Sequence, residues 1–227
     1  GASPLWPHRG NIKIGKRQFP YYLLAQGAKG YSALNVHVHE FGHMLGLPDQ
    51  YGDKHKTGIG KWCTMAVGHM GDGDSRVRRP LHLCAWCKQY LGWLKPCVID
   101  PSKPALVKLR PIESSQDALI LPLKEDLSEY YLLENRQRVG FDSDLSATGL
   151  LIWYCRVTED GWTKVDLVES HGKKVPDASL ILVDEIPYPS VYNDSFTPFT
   201  MPSSSKKDAI YEIFVTNIRK RGEIILF

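Results

Sequence analysis

Long apolar runs are missing from this sequence. No stretch approaches the 18 or so consecutive apolar residues that a membrane-spanning helix requires, and none has the form of a signal-peptide core. No membrane span is expected. Charge of one sign is scarce too: 28 Lys and Arg stand against 25 Asp and Glu, a net +3 dispersed along the chain, which argues against a nucleic-acid partner. Arg76, Arg78 and Arg79 cluster, and they read as a solvated loop. Cysteine is sparse and odd in number, five in all, so at least one thiol has no partner within the chain and cysteine pairing does not decide the fold. No disulfide framework is needed. A chain of 227 residues, 43% hydrophobic, has the composition of an ordinary globular protein and can bury roughly 70% of its unfolded surface.

What is present changes texture near Pro96. Before it the sequence is rich in Gly, His and Trp and carries two helical patterns; after it come short β-branched and aromatic runs separated by Pro, Gly, Asp and Ser. The runs are 106–109, 118–121, 130–133, 150–155, 165–168, 180–183, 211–215 and 223–227, with the last two expected to form a terminal hairpin. The reading is an α+β chain with two parts, 1–96 and 97–227, the second sandwich-like. In the first part, 21–26 is an expected strand. A helix follows from Ala33 to Leu45, with Ser32 as N-cap, Gly46 at the left-handed exit and Pro48 preventing continuation. A second helix is expected from Pro80, as an N1 proline, to Leu91, stopped by Gly92.

The first helix contains His39-Glu40-Phe41-Gly42-His43. Residues four apart lie one turn above each other, so two imidazoles face one spot and can hold a zinc ion. Glu40, about 100° around the helix from His39, is placed to reach a water at that ion without displacing it, as a general base must. Gly46 permits a turn that folds the chain back, and Asp49 then reads as the third ligand. Two histidines and a carboxylate leave the fourth tetrahedral position to water. Met65 lies in a turn-rich segment downstream, and Tyr51 is a candidate oxyanion donor by proximity alone, with packing its more ordinary role. His37 points away from the metal face.

The run from His39 to Asp49, continuing to Tyr51 and followed by Met65, resembles the metzincin clan of zinc peptidases, and within it the immune inhibitor A-like family of bacterial metallopeptidases. Leu5-Trp6-Pro7-His8, the segment at Met65-Ala66-Val67-Gly68, the helix 80–94 and the β segments 130–137 and 149–153 are similar to that family as well. The resemblance implies a zincin-like catalytic part and a zinc-dependent endopeptidase that hydrolyses peptide bonds by a metal-activated water. It implies one zinc ion on His39, His43 and Asp49, Glu40 as general base and acid, and Met65 as the floor beneath the metal. It also implies secretion and a substrate peptide held extended against the strand 21–26.

Two features depart from the family. Only 31 residues precede Ser32, too few for the sheet of a metzincin, so either the N-terminal half of the catalytic part is missing, the favoured reading, or the protein is a reduced relative whose active-site helix packs differently. Cys84 and Cys87 replace small residues; with Cys63 or Cys97 they read as buried thiols first, with a disulfide or a second metal site as alternatives. Gly71-Asp72-Gly73-Asp74-Ser75 looks like a fragment of a calcium loop but lacks the closing Glu, and it reads as a turn that leaves calcium unsupported. The competing function is a zinc-binding, catalytically inactive module whose β-rich part binds protein or carbohydrate.

Overall fold

The computed structural model describes residues 8–23, 33–51, 58–70, 79–172 and 186–227. It is a mixed α+β chain with few helices and several sheets. The chain opens with β1 (His8–Ile14) and β2 (Arg17–Leu23), an antiparallel hairpin whose register runs from His8 opposite Leu23 to Ile14 opposite Arg17. Gly15 makes its turn at φ +60°, a conformation that glycine adopts without strain. The expected strand at 21–26 is met at 21–23, the strand begins earlier, at Arg17, and 24–26 lie outside the described residues; its partner β1 was not anticipated, since alternating Lys, Arg and Asn leave this ribbon largely exposed and its pattern weak. Helix α1 (Ala33–Met44) follows. Ser32, its expected cap, lies outside the described residues.

After two short 3-10 turns, Gly60–Trp62 and Val67–Met70, comes α2 (Ala85–Tyr90). It is shorter than expected: Pro80 to Cys84 are not helical, and the helix begins at Ala85 with Cys84, in an extended conformation, as its N-cap residue. The physical reason is tertiary. The His82 N–H is taken by Asp142 Oδ1 at 2.8 Å, and the Leu81 carbonyl accepts from the Thr64 hydroxyl, so both groups bond outside any local helix. Gly92 stops the helix as expected, at φ +73°.

The remaining strands are β3 (Cys97–Val98), β4 (Lys108–Leu109), β5 (Ala118–Pro122), β6 (Glu129–Arg136), β7 (Gly149–Val157), β8 (Thr163–Val168), β9 (Arg219–Arg221) and β10 (Ile224–Leu226). They form a five-stranded sheet in the order β3-β5-β6-β7-β8, antiparallel except for β3 against β5, and a three-stranded sheet in the order β4-β10-β9. The run 180–183 lies outside the described residues. The run 211–215 contributes only a bridge between Val215 and Phe196, so the terminal hairpin pairs β10 with β9 instead.

Both faces of the five-stranded sheet are covered. Its period-two alternation sends Ala118, Ile120, Leu132, Leu151, Trp153 and Val165 to one side, and Leu119, Leu121, Tyr131, Leu133, Leu150 and Ile152 to the other. The first set joins Leu47, Trp62, Met65, Leu81 and Trp86 in one core that spans both sides of Pro96. The second set packs with Leu109 of β4 and Ile225 of β10. The sheet is therefore the platform on which the helix-exit segment and the Met65 turn rest.

Candidate metal centre

Helix α1 buries an unusual stripe. Asn35, His39, Glu40, Gly42 and His43 are buried, while Leu34 and Phe41 are half exposed. Burying polar side chains at the expense of apolar ones costs stability unless they are partnered, so such a stripe marks a built site.

The exit from α1 supplies the geometry. Gly46 stands at φ +99°, and the Gly46 and Leu47 N–H groups bond back to the carbonyls of His43 and Gly42 at 3.0 Å each. The reversed chain brings Asp49 over the helix face. Asp49 Oδ1 lies 3.2 Å from His39 Nε2 and 3.3 Å from His43 Nε2. A tetrahedral ion with donors at about 2.0–2.1 Å holds them about 3.3 Å apart, so the three atoms already have the spacing of a coordination face.

The other nitrogen of each ring fixes this arrangement. His39 Nδ1 bonds the Thr64 carbonyl at 2.8 Å, and His43 Nδ1 bonds the Leu47 carbonyl at 2.8 Å. A carbonyl only accepts, so each Nδ1 carries a hydrogen and each Nε2 faces the shared spot, where the neutral ring offers its lone pair. Glu40 is buried beside them, and its Oε2 has no hydrogen-bond partner. An orphaned buried carboxylate oxygen next to two imidazoles and a second carboxylate is what a metal site with an adjacent base requires. The donor set of two imidazoles and one carboxylate suits zinc.

The electrostatics follow from the crowding. Burial works against the His43 cation, but hydrogen bonds to Asp49 and the Leu47 carbonyl, with the charges of Asp49 and Glu40, outweigh it and raise the ring above its ordinary value. Burial would raise the Asp49 carboxyl, but its bonds to both histidines hold it well below the usual carboxylate range. Tyr51 titrates higher than a free phenol because of burial and the neighbouring Asp49 and Glu40 carboxylates. Its ring lies 5.7 Å from that of His39, at the rim of the site. His37 is exposed and does not join the trio.

Met65 lies against α1 at Gly42. It is fully buried, and its carbonyl accepts from the Gln50 N–H at 2.7 Å, which ties the turn to the segment carrying Asp49. A Cβ added at Gly42 would stand 2.4 Å from Met65 Sδ, so any side chain there displaces the buried end of Met65. Gly42→Ala is therefore expected to destabilise the protein by about 1–3 kcal/mol. A urea midpoint indistinguishable from wild type would show that Met65 does not support α1.

Sequence reasoning named the three candidate ligands and Glu40. It missed the Thr64 and Leu47 carbonyls, because main-chain acceptors have no residue signature. The Gly42 contact was missed although a glycine inside a helical pattern is a signal of close packing.

Residues 18–94 match the model of the immune inhibitor A peptidase M6 catalytic domain. The chain is also similar to the pre-pro-metalloprotease PrtV of two Vibrio cholerae serotype O1 strains, M66-2 and ATCC 39315 (El Tor Inaba N16961). Each is 33% identical over 108 residues, which covers 40% of this chain and 12% of the relative's own length. No solved structure matches the chain. The segment that brings His39, Glu40, His43 and Asp49 together lies within the residues that match the immune inhibitor A peptidase family.

Proposed function

We propose that this chain is a zinc-dependent endopeptidase that cleaves protein substrates, with His39, His43 and Asp49 as the ligands of one catalytic zinc and Glu40 as general base and acid. The observation that supports it most is the shared approach of His39 Nε2 and His43 Nε2 to Asp49 Oδ1 at 3.2 and 3.3 Å, with both Nδ1 atoms committed to carbonyls. When bound there, zinc supplies Lewis acidity toward a carbonyl oxygen and lowers the pKa of water toward about 7.

The chain's own residues do the rest. Glu40 Oε2, unpartnered and buried, accepts a proton from the attacking water and returns it to the leaving amine. The Asp49 side chain is 52% exposed whereas those of His39 and His43 are 7% and 10% exposed, so substrate approaches from the Asp49 side and the histidines stay shielded. The substrate lies extended along β2, which has β1 on one side and an edge available for main-chain pairing on the other. In this reading residues 1–96 form a zincin-like, metzincin-type catalytic part, residues 97–227 a sandwich-like support, and the whole protein is secreted.

The test compares wild-type protein with a His39→Ala/His43→Ala variant. Loss of one equivalent of zinc per chain, together with loss of hydrolysis of an unfolded protein, is the expected result. Unchanged zinc content would overturn the ligand assignment. A wild type that retains this zinc but cleaves nothing would favour an inactive binding module.

A further inference from the structure

Three cysteines that the proposed chemistry does not use converge in the core. Cys63 follows the first 3-10 turn, Cys84 precedes α2, and Cys87 lies in its first turn; all three are fully buried. Cys87 Sγ lies 3.7 Å from Cys63 Sγ and 3.6 Å from Cys84 Sγ, and the three sulfurs fall within 4.8 Å of one another. A tetrahedral zinc ion with sulfur donors at about 2.3 Å separates them by about 3.8 Å. Both separations that Cys87 makes therefore match a coordination face, and the third falls within 4.8 Å.

Two further observations favour a shared ion at this place. The Cys84 N–H donates to Cys63 Sγ at 3.3 Å, and the Met65 N–H bonds the same sulfur. Main-chain donors aimed at one sulfur stabilise its anion. The number of sulfurs also matters, since a disulfide between any two would strand the third as a lone buried thiol, whereas a metal ion engages all three. Cys97, exposed, and Cys155, buried elsewhere, do not belong to the cluster.

We infer that Cys63, Cys84 and Cys87 form a second, structural metal site that binds zinc through three thiolates. Charge selects the divalent ion: three thiolates and Zn2+ leave a single negative charge in the core, where a monovalent ion would leave two. The fourth tetrahedral position falls to a donor outside the trio. Binding releases the thiol protons to solvent, so no oxidant or reductant takes part. The site clamps the turn that carries Met65 to the start of α2. It does not depend on the peptidase reading.

The experiment uses the full chain, purified without chelator, then stripped and reloaded with Co2+ alone. Expected is a near-ultraviolet sulfur-to-cobalt charge-transfer band that persists in His39→Ala/His43→Ala and in Cys97→Ser. Zinc-loaded wild type should show sulfur in the zinc X-ray absorption shell and release one equivalent of zinc when its thiols are blocked. Cys84→Ser/Cys87→Ser should lose the band and that equivalent. Should that variant fail to fold, the wild-type spectrum and thiol-triggered zinc release still decide. A cobalt spectrum without sulfur character, thiols that react with no metal released, or a disulfide among the three in freshly purified protein would each overturn the proposal.

Discussion

Glu40→Gln should lower kcat/KM on an unfolded protein substrate by about 10²–10⁴-fold while leaving the zinc proposed on His39, His43 and Asp49 in place. Gln preserves the size of the side chain and can still fill the buried position, but its amide cannot take a proton and hand it on. The orphaned Oε2 makes the prediction specific. Because that oxygen has no protein partner, replacing it breaks no hydrogen bond of the fold, so the loss belongs to chemistry and not to stability. Single-turnover assays with metal analysis on the same sample separate the two. Hydrolysis at the wild-type rate would remove Glu40 from the mechanism; loss of zinc along with activity would make it a ligand or a support instead.

How much of this was legible in advance depends on the range of the interaction that determines each element. Helix α1, its glycine exit and the trio of His39, His43 and Asp49 were readable because helical spacing and a left-handed glycine are local properties. Strands β5 to β8 were readable as β-branched and aromatic runs, although the chain could not say that both faces of their sheet would be buried. The start of α2 was not readable: Pro80 is a good N1 residue, yet the Leu81 carbonyl, which a helix from Pro80 would pair with the Ala85 N–H, accepts from the Thr64 hydroxyl of a distant turn. The Cys63 pairing with Cys84 and Cys87 was open for the same reason, since spacing alone cannot choose among thiols, disulfides and a metal. In the β-rich part, the alternation of β6 gave Arg136 no expected role, because a charged residue at the end of a strand normally faces solvent.

The site also leans on the sheet through polar contacts that connect the two halves of the sequence. Arg136, the last residue of β6, is fully buried and donates from Nη1 to the Trp62 carbonyl at 2.7 Å. Asp142 accepts from Arg136 Nε at 2.8 Å and from the His82 N–H at 2.8 Å. One guanidinium thereby anchors the residue preceding Cys63 and, through Asp142, the segment ahead of α2. Positioning of the Met65 turn is thus a property of the whole fold, not of α1 alone.

Arg136→Met should be the most destabilising single change in the β-rich part, about 3–5 kcal/mol, read as a lowered urea midpoint. The guanidinium faces three carboxyl groups: Asp142, Glu113 at 3.1 Å and Glu134 at 3.6 Å. Met restores the volume but leaves those acids without their cation. They already differ in state. Burial raises the Glu113 carboxyl to about 8 against the pull of Arg136, and burial likewise raises Glu134, whereas Arg136 overcomes burial at Asp142 and holds it low. For Glu113 the sign is that of a raised group: its contribution is fully present below its unfolded value and is lost as pH rises through about 8. Asp142 has the opposite sign in wild type, its contribution being lost as pH falls. Without Arg136, Asp142 joins the raised class, so the variant should lose most stability near pH 8 and recover part of it toward pH 5, where the carboxyls take up protons. Adding Glu113→Gln and Asp142→Asn to Arg136→Met should recover part of the loss at neutral pH by removing the uncompensated charges. A variant as stable as wild type at pH 8, or one whose deficit does not change between pH 8 and pH 5, would show that the guanidinium is not what neutralises this cluster.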